Sequence, residues 1–128
     1  MNEVVLDASA ILAIVFDEPG KERLTAEILD VSVVSAVNLA EAQTKLIRKG
    51  FESEEAWWAA VQLVAAVAPF TPDHARIAGD LITATEQYGL SLGDRSCLAL
   101  AIALKAAVYT TEQAWRNLKV GIPIHVIR

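Results

Sequence analysis

Four acidic residues lie far apart in this chain, Asp7, Glu41, Asp94 and Glu112, and each stands just after an apolar strand-like run or inside the helix that follows one. An acid set in apolar sequence is costly to bury unless its charge is compensated. Four acids at equivalent points of successive strand-to-helix units point to one shared compensator, a divalent cation. Carboxylate oxygens are hard donors, and with no His or Cys cluster beside them they favour Mg²⁺ or Mn²⁺ over zinc. Each acid also has an ordinary reading. Asp7 and Asp94 fit helix N-caps, Glu41 fits an ion pair with Lys45 four residues on, and Glu112 fits a first-turn acid answering a helix dipole.

The elements that must position these acids alternate along the chain. Val4 to Leu6 reads as a short buried strand and Ala10 to Phe16 as an apolar helix, ended by Glu18, Pro19 and Gly20, with a second helix from Lys21 to Leu29. Val31 to Val34 is β-branched and uncharged, a second strand, and Ala36 to Lys49 is a helix stopped by Gly50. Ser53, followed by Glu54 and Glu55, predicts a capped helix running through Trp57, Trp58, Val61 and Val64. Val67 to Phe70 is a third strand, and Pro72 opens a long helix reaching Tyr88 before Gly89. Asp94 to Ala107 is apolar around most of its circumference, a helix packed on more than one side. Val108 to Thr110, a brief helix over Glu112 to Leu118 and a closing strand over Ile122 to Ile127 complete the alternation. Uncharged strands alternating with helices predict an α/β fold, a three-layer sandwich with a short central parallel sheet covered by helices on both faces. Ligands of such sheets bind at the carboxyl ends of the strands, where strand order reverses. All four acids point toward that edge, Glu41 because helical side chains tilt back toward the amino end. The strand order itself is left open by the sequence.

With 128 residues and 54% hydrophobic residues, one domain over 1–128 with a single well-filled core is expected. No apolar run reaches the roughly 18 residues of a membrane span. The longest, Cys97 to Tyr109, is broken by Lys105. Glu3 and Asp7 argue against a signal peptide, and a lone cysteine excludes a disulfide framework, so a soluble protein of the reducing cytoplasm is expected. A net charge of -5 and no evident basic stripe speak against duplex DNA held by its phosphates.

The wording around the acids is more specific. Val5-Leu6-Asp7-Ala8-Ser9-Ala10, Asn38-Leu39-Ala40-Glu41, Leu92-Gly93-Asp94-Arg95 and Tyr109-Thr110-Thr111-Glu112 with Ala114-Trp115 resemble, in order and spacing over nearly the whole chain, the PIN-domain ribonucleases. Among these the chain looks most like the VapC-type toxins of toxin-antitoxin pairs. The resemblance implies a PIN-like fold and a Mg²⁺- or Mn²⁺-dependent endoribonuclease with Asp7, Glu41, Asp94 and Glu112 as catalytic and metal-binding residues. In the two-metal scheme such acids hold ions roughly 3.5 to 4 Å apart that activate a water and steady the leaving oxygen, giving 5′-phosphate and 3′-hydroxyl ends. The resemblance also implies RNA as substrate, a homodimer, and a cognate antitoxin protein whose basic side chain reaches toward the acids. Glu112 departs from the family's usual Asp, and its extra methylene suits an outer position better than a direct ligand.

Ser9 and Thr110 stand where hydroxyls can orient an acid, and Arg95 where it can meet a phosphate; each also has a plain structural reading. His74 and His125 have no evident partner, and Cys97 reads as a small buried hydrophobe. Trp57 and Trp58 read either as core or as part of a partner-binding surface. Two other functions stay open. An inactive PIN-like binding module would use the acids only as caps. A metal-dependent phosphatase is disfavoured because Ser9 stands where an aspartyl-phosphate enzyme of the haloacid-dehalogenase type has a second Asp.

Overall fold

The computed structural model describes residues 2–128. Strand β1 (Val4–Leu6) passes at Asp7 directly into helix α1 (Ala8–Val15), and after a short 3-10 turn and helix α2 (Ala26–Leu29) the chain enters β2 (Ser32–Ser35). Ser35 ends that strand and caps α3 (Ala36–Arg48), its hydroxyl accepting from the Val37 amide at 3.2 Å. Helix α4 (Ser53–Val61), β3 (Ala66–Ala68), α5 (Pro72–Asp80) and α6 (Ile82–Thr85) follow, then α7 (Leu92–Leu104), β4 (Ala107–Thr110) and β5 (Ile124–Val126).

The five strands form one sheet in the order β3-β2-β1-β4-β5, every pairing parallel. Alternation along the short strands divides the core in two. Leu6 and Val34 face α1, α3 and α4, whereas Val5, Val33 and Val108 face α7 with Trp115 and Leu118. Each fully buried aliphatic side chain on these faces contributes roughly 1.5 to 3 kcal/mol. Helix α5 packs against α7. The expected three-layer α/β sandwich is the observed architecture.

Several expected boundaries move, each for a local reason. The helix expected over Lys21 to Leu29 breaks at Thr25, whose side chain caps α2 by accepting from the Ile28 amide. The helix expected over Pro72 to Tyr88 is segmented into α5, α6 and a 3-10 turn, and the Thr85 hydroxyl bonds back to the Leu81 carbonyl at 2.8 Å. Ser53 is the first residue of α4, not its cap. Glu52 holds that position and its amide donates to Glu55 Oε1. The expected helix over Glu112 to Leu118 is a 3-10 turn over Gln113–Asn117. Trp57 and Trp58 are 49% and 65% exposed, which overturns the core reading for both.

Candidate active site

Strand β1 lies between β2 and β4, so successive crossovers leave it in opposite directions and open a crevice at its carboxyl end. Asp7 sits at that point. Its backbone has the extended geometry of an N-cap to α1, yet its side chain makes no cap bond. The carboxylate turns instead to two hydroxyls, Oδ2 accepting from Ser9 Oγ at 2.8 Å and from Thr110 Oγ1 at 3.0 Å. Each hydroxyl is fixed from behind, Ser9 accepting from the Thr111 amide at 3.0 Å and Thr110 from the Glu112 amide at 3.1 Å. A hydroxyl has one proton to give, and both protons are spent on Asp7. The 3.2 Å approach of Ser9 to Thr110 is therefore a consequence of their shared acceptor. Two hydroxyls aimed at one oxygen hold Asp7 in a single orientation.

Asp7 is only 3% exposed, and its pKa is raised from 3.8 to about 6, first by burial. The negative charges of Asp94 and Glu41 raise it further, against the lowering effect of the two hydroxyls. Three carboxylates from three separate elements thus share one field.

Asp94 enters that field from the first turn of α7. The helix begins at Leu92 rather than at Asp94, and Ser91 is its N-cap. The Asp94 amide donates to Ser91 Oγ at 3.2 Å while Asp94 Oδ2 accepts from the Ser91 amide at 2.9 Å. Glu41 enters from α3, and its position depends on two residues that sequence reasoning did not assign. Asn38, fully buried one turn earlier, donates from Nδ2 to Glu41 Oε1 at 2.8 Å and to the Gly93 carbonyl at 2.9 Å. Gly93 supplies the space: a Cβ there would lie 2.1 Å from Glu41 Oε2. One amide and one missing methyl join α3 to α7 through the Glu41 carboxylate. Glu41 and Lys45 form no ion pair among the described residues. The signal available for Asn38 was its place one helical turn before Glu41.

The donor chemistry fits a hard divalent cation, since Asp7, Glu41 and Asp94 bring carboxylate oxygens and mutual repulsion that a cation would relieve. As arranged, each is tied to its own support. Among the described residues no three His, Cys, Asp or Glu groups stand within one coordination sphere. Glu112 is exposed just beyond β4, and its charge is not among those that raise Asp7. Arg95 is partly buried and donates from Nη1 to the Ala78 carbonyl at 2.8 Å, tying α7 to α5. His74 packs edge-on to Phe70, and His125 stacks on Tyr109 at 4.7 Å. Cys97 is buried beneath the acids, and burial followed by the charges of Asp7, Asp94 and Glu41 pushes its thiol well above the ordinary range. Such a thiol stays protonated and inert.

The PIN domain family model matches residues 4–120. No curated protein matches the chain in sequence. Several solved structures share the fold. A chain of VapBC2 from Rickettsia felis, bound to a promoter DNA fragment, is 21% identical with a TM-score of 0.71, over 94% of this chain and 96% of that one. DNA-bound VapBC from Salmonella typhimurium matches at 17% identity and a TM-score of 0.72, over 97% of both chains. VapBC-5 from Mycobacterium tuberculosis, described as a toxin-antitoxin system, matches at 19% identity and 0.62, over 100% of this chain and 99% of that one.

Proposed function

From the premise that the chain belongs to the PIN-domain family, we propose that it is a Mg²⁺- or Mn²⁺-dependent endoribonuclease, the toxin of a toxin-antitoxin pair. The observation that carries this reading is the field around Asp7, in which a buried carboxylate at the sheet's switch point is loaded by the charges of Glu41 and Asp94. Unpaired acids cost stability at neutral pH, and a fold that keeps three together has a use for their charge.

Asp7, Glu41 and Asp94 are the residues that would hold the metal, and Glu112 stands outside them. When bound, a divalent cation lowers the pKa of water and offsets charge developing on a phosphodiester in an in-line displacement. The chain's own part is orientation. Ser9 and Thr110 fix the Asp7 carboxylate, Asn38 with Gly93 fixes that of Glu41, and Ser91 fixes that of Asp94. A transesterification through the RNA 2′-hydroxyl, which forms a 2′,3′-cyclic phosphate and releases the 5′-oxygen, needs a base and an acid, the usual work of His. His74 and His125 are engaged with the aromatic rings of Phe70 and Tyr109. Products with 5′-phosphate and 3′-hydroxyl ends follow.

For partners, the VapBC relatives support an antitoxin protein, and the exposed indoles of Trp57 and Trp58 supply an apolar surface suited to covering. We extend the reading to a homodimer in the cytoplasm. No helix among the described residues is long and apolar enough to cross a membrane. One observation favours a second reading, a PIN-like binding module without catalysis: the acids are not drawn into one coordination sphere. Titration with Mn²⁺ separates the two. The nuclease reading expects the melting temperature to rise with Mn²⁺ in the native chain and not in Asp7→Asn, and equal curves would favour the binding module.

A further inference from the structure

Helix α3 carries Glu41 and, four and seven residues further on, Lys45 and Arg48, with Lys49 next as its C-cap. These offsets place the three cations on the face of the helix that bears Glu41. With a rise of about 1.5 Å per residue they lie roughly 6 to 12 Å along the axis from it, the scale on which successive phosphates of one strand are spaced. None of the three is in an ion pair, the described residues showing only Lys21 with Asp17 and Arg128 with Glu18. Basic residues in a last helical turn also answer the helix dipole. That reason does not extend to Arg128, which arrives from the far end of the chain and lines the same concavity of about 570 Å³.

The concavity meets the acidic crevice through one residue, while Asp7, Glu41 and Asp94 themselves do not line it. Ser9, whose hydroxyl holds Asp7, is part of its wall, as is Glu112. Phe16 lines it on the α1 side, its ring edge-on to that of Phe51 at 6.3 Å. With Arg128 paired to Glu18, a chain of net charge -5 thus gathers three unpaired cations, Lys45, Arg48 and Lys49, against one carboxylate, Glu112, in a groove that shares Ser9 with the acidic crevice. Cations beside an aromatic ring in a groove are the elements that track a single-stranded backbone and stack its bases.

We propose that this groove holds the RNA strand on one side of the bond to be cut, with Lys45 on the nearer phosphate, Arg48 and Lys49 on the next, and Phe16 against a base. The inference rests on the ribonuclease reading and adds the path of the substrate to it.

The test is binding of a single-stranded RNA of about 12 nucleotides, a length within the usual site sizes. Fluorescence anisotropy is followed in excess EDTA, so that no metal-dependent cleavage occurs, across a series of salt concentrations. The variants are Lys45→Glu/Arg48→Glu/Lys49→Glu and, as a control of equal charge change at residues that do not line the groove, Arg76→Glu/Lys105→Glu/Lys119→Glu. The groove variant should lose at least about tenfold in affinity, and its plot of log affinity against log salt should flatten by about 2, at roughly 0.7 per phosphate for three contacts. The control should retain more of both, and the circular dichroism melts of the three chains should agree within a few degrees. Equal losses in the two variants, or none in the groove variant, would overturn the groove while leaving the ribonuclease reading standing. Absence of RNA binding by the native chain would overturn the groove, and absence of Mn²⁺-dependent RNA cleavage as well would sink the ribonuclease reading. A groove variant that loses affinity for polyglutamate but keeps it for RNA would assign the surface to an acidic protein and overturn the proposal.

Discussion

Replacing Gly93 with Ala is the sharpest perturbation of the site, because it adds one methyl at a place the Glu41 carboxylate already occupies. The new Cβ would stand 2.1 Å from Oε2, 2.5 Å from Cδ and 2.8 Å from Oε1, whereas ordinary contact begins near 3.4 Å. The carboxylate must retreat by more than an ångström, and in retreating it leaves Asn38. For the fold the change is mild. Losing a hydrogen bond to a charged group costs about 1.5 to 3 kcal/mol. Gaining Ala in a helix returns about 0.5 to 1 kcal/mol. The net cost is about 1 to 2 kcal/mol, a drop of several degrees in melting temperature. For catalysis the change is severe, since a displacement of about 1 Å in a positioned group lowers rates by about 100-fold. Melts in EDTA and Mn²⁺-dependent RNA cleavage, measured on the same preparation, give the two numbers. Cleavage within about threefold of the native chain, with the fold intact, would refute the claim that Glu41 acts from this position.

Other consequences follow from the same geometry. Asp7 has its pKa raised from 3.8 to about 6, so the folded state favours its protonated form; in the metal-free chain the contribution of Asp7 to stability is fully present below 3.8 and is lost as pH rises through 6. Asp7→Asn removes that loss, so in EDTA at pH 7.5 urea unfolding should show the variant more stable by up to about 3 kcal/mol, with no gain at pH 3.5. Equal stabilities at both pH values would contradict this. Thr110→Val withdraws a donor from Asp7 and an acceptor from the Glu112 amide, and should lower stability by about 1 to 3 kcal/mol while moving the Asp7 carboxyl, followed by NMR, to higher pKa. Glu112→Gln should leave the Mn²⁺-induced rise in melting temperature intact and Glu41→Gln should abolish it, since of these two only Glu41 contributes to the field at Asp7. Equal effects would place Glu112 among the ligands.

The α/β alternation was legible because each strand is short, uncharged and followed by amphipathic or apolar helix, and Asp7 was legible because an acid ends the first such strand. Boundaries set by side chains were not. Thr25 and Ser91 act as caps only once their hydroxyls find the right amide, which the pattern of apolar residues does not encode. The strand order, which makes the end of β1 a crevice, is a matter of pairing across the chain that local pattern does not encode. Asn38 and Gly93 were missed for the same reason: their roles lie in a contact between α3 and α7, 55 residues apart in sequence. Ordinary readings fared unevenly, with Asp94 taking part in a capping box and Asp7 declining to cap. The basic groove escaped notice because Lys45, Arg48 and Lys49 look like the usual charged end of a helix until Arg128 is seen beside them.

The central claim is that Asp7, Glu41 and Asp94 act through a divalent cation on RNA. The most direct measurement is end-group analysis of total RNA incubated with the native chain and with Asp94→Asn, each with Mn²⁺ and with EDTA. Cleavage that requires both Mn²⁺ and Asp94, leaving 5′-phosphate and 3′-hydroxyl ends, is the predicted result. Cleavage that persists in EDTA or in Asp94→Asn, or that leaves 2′,3′-cyclic phosphates, would contradict it.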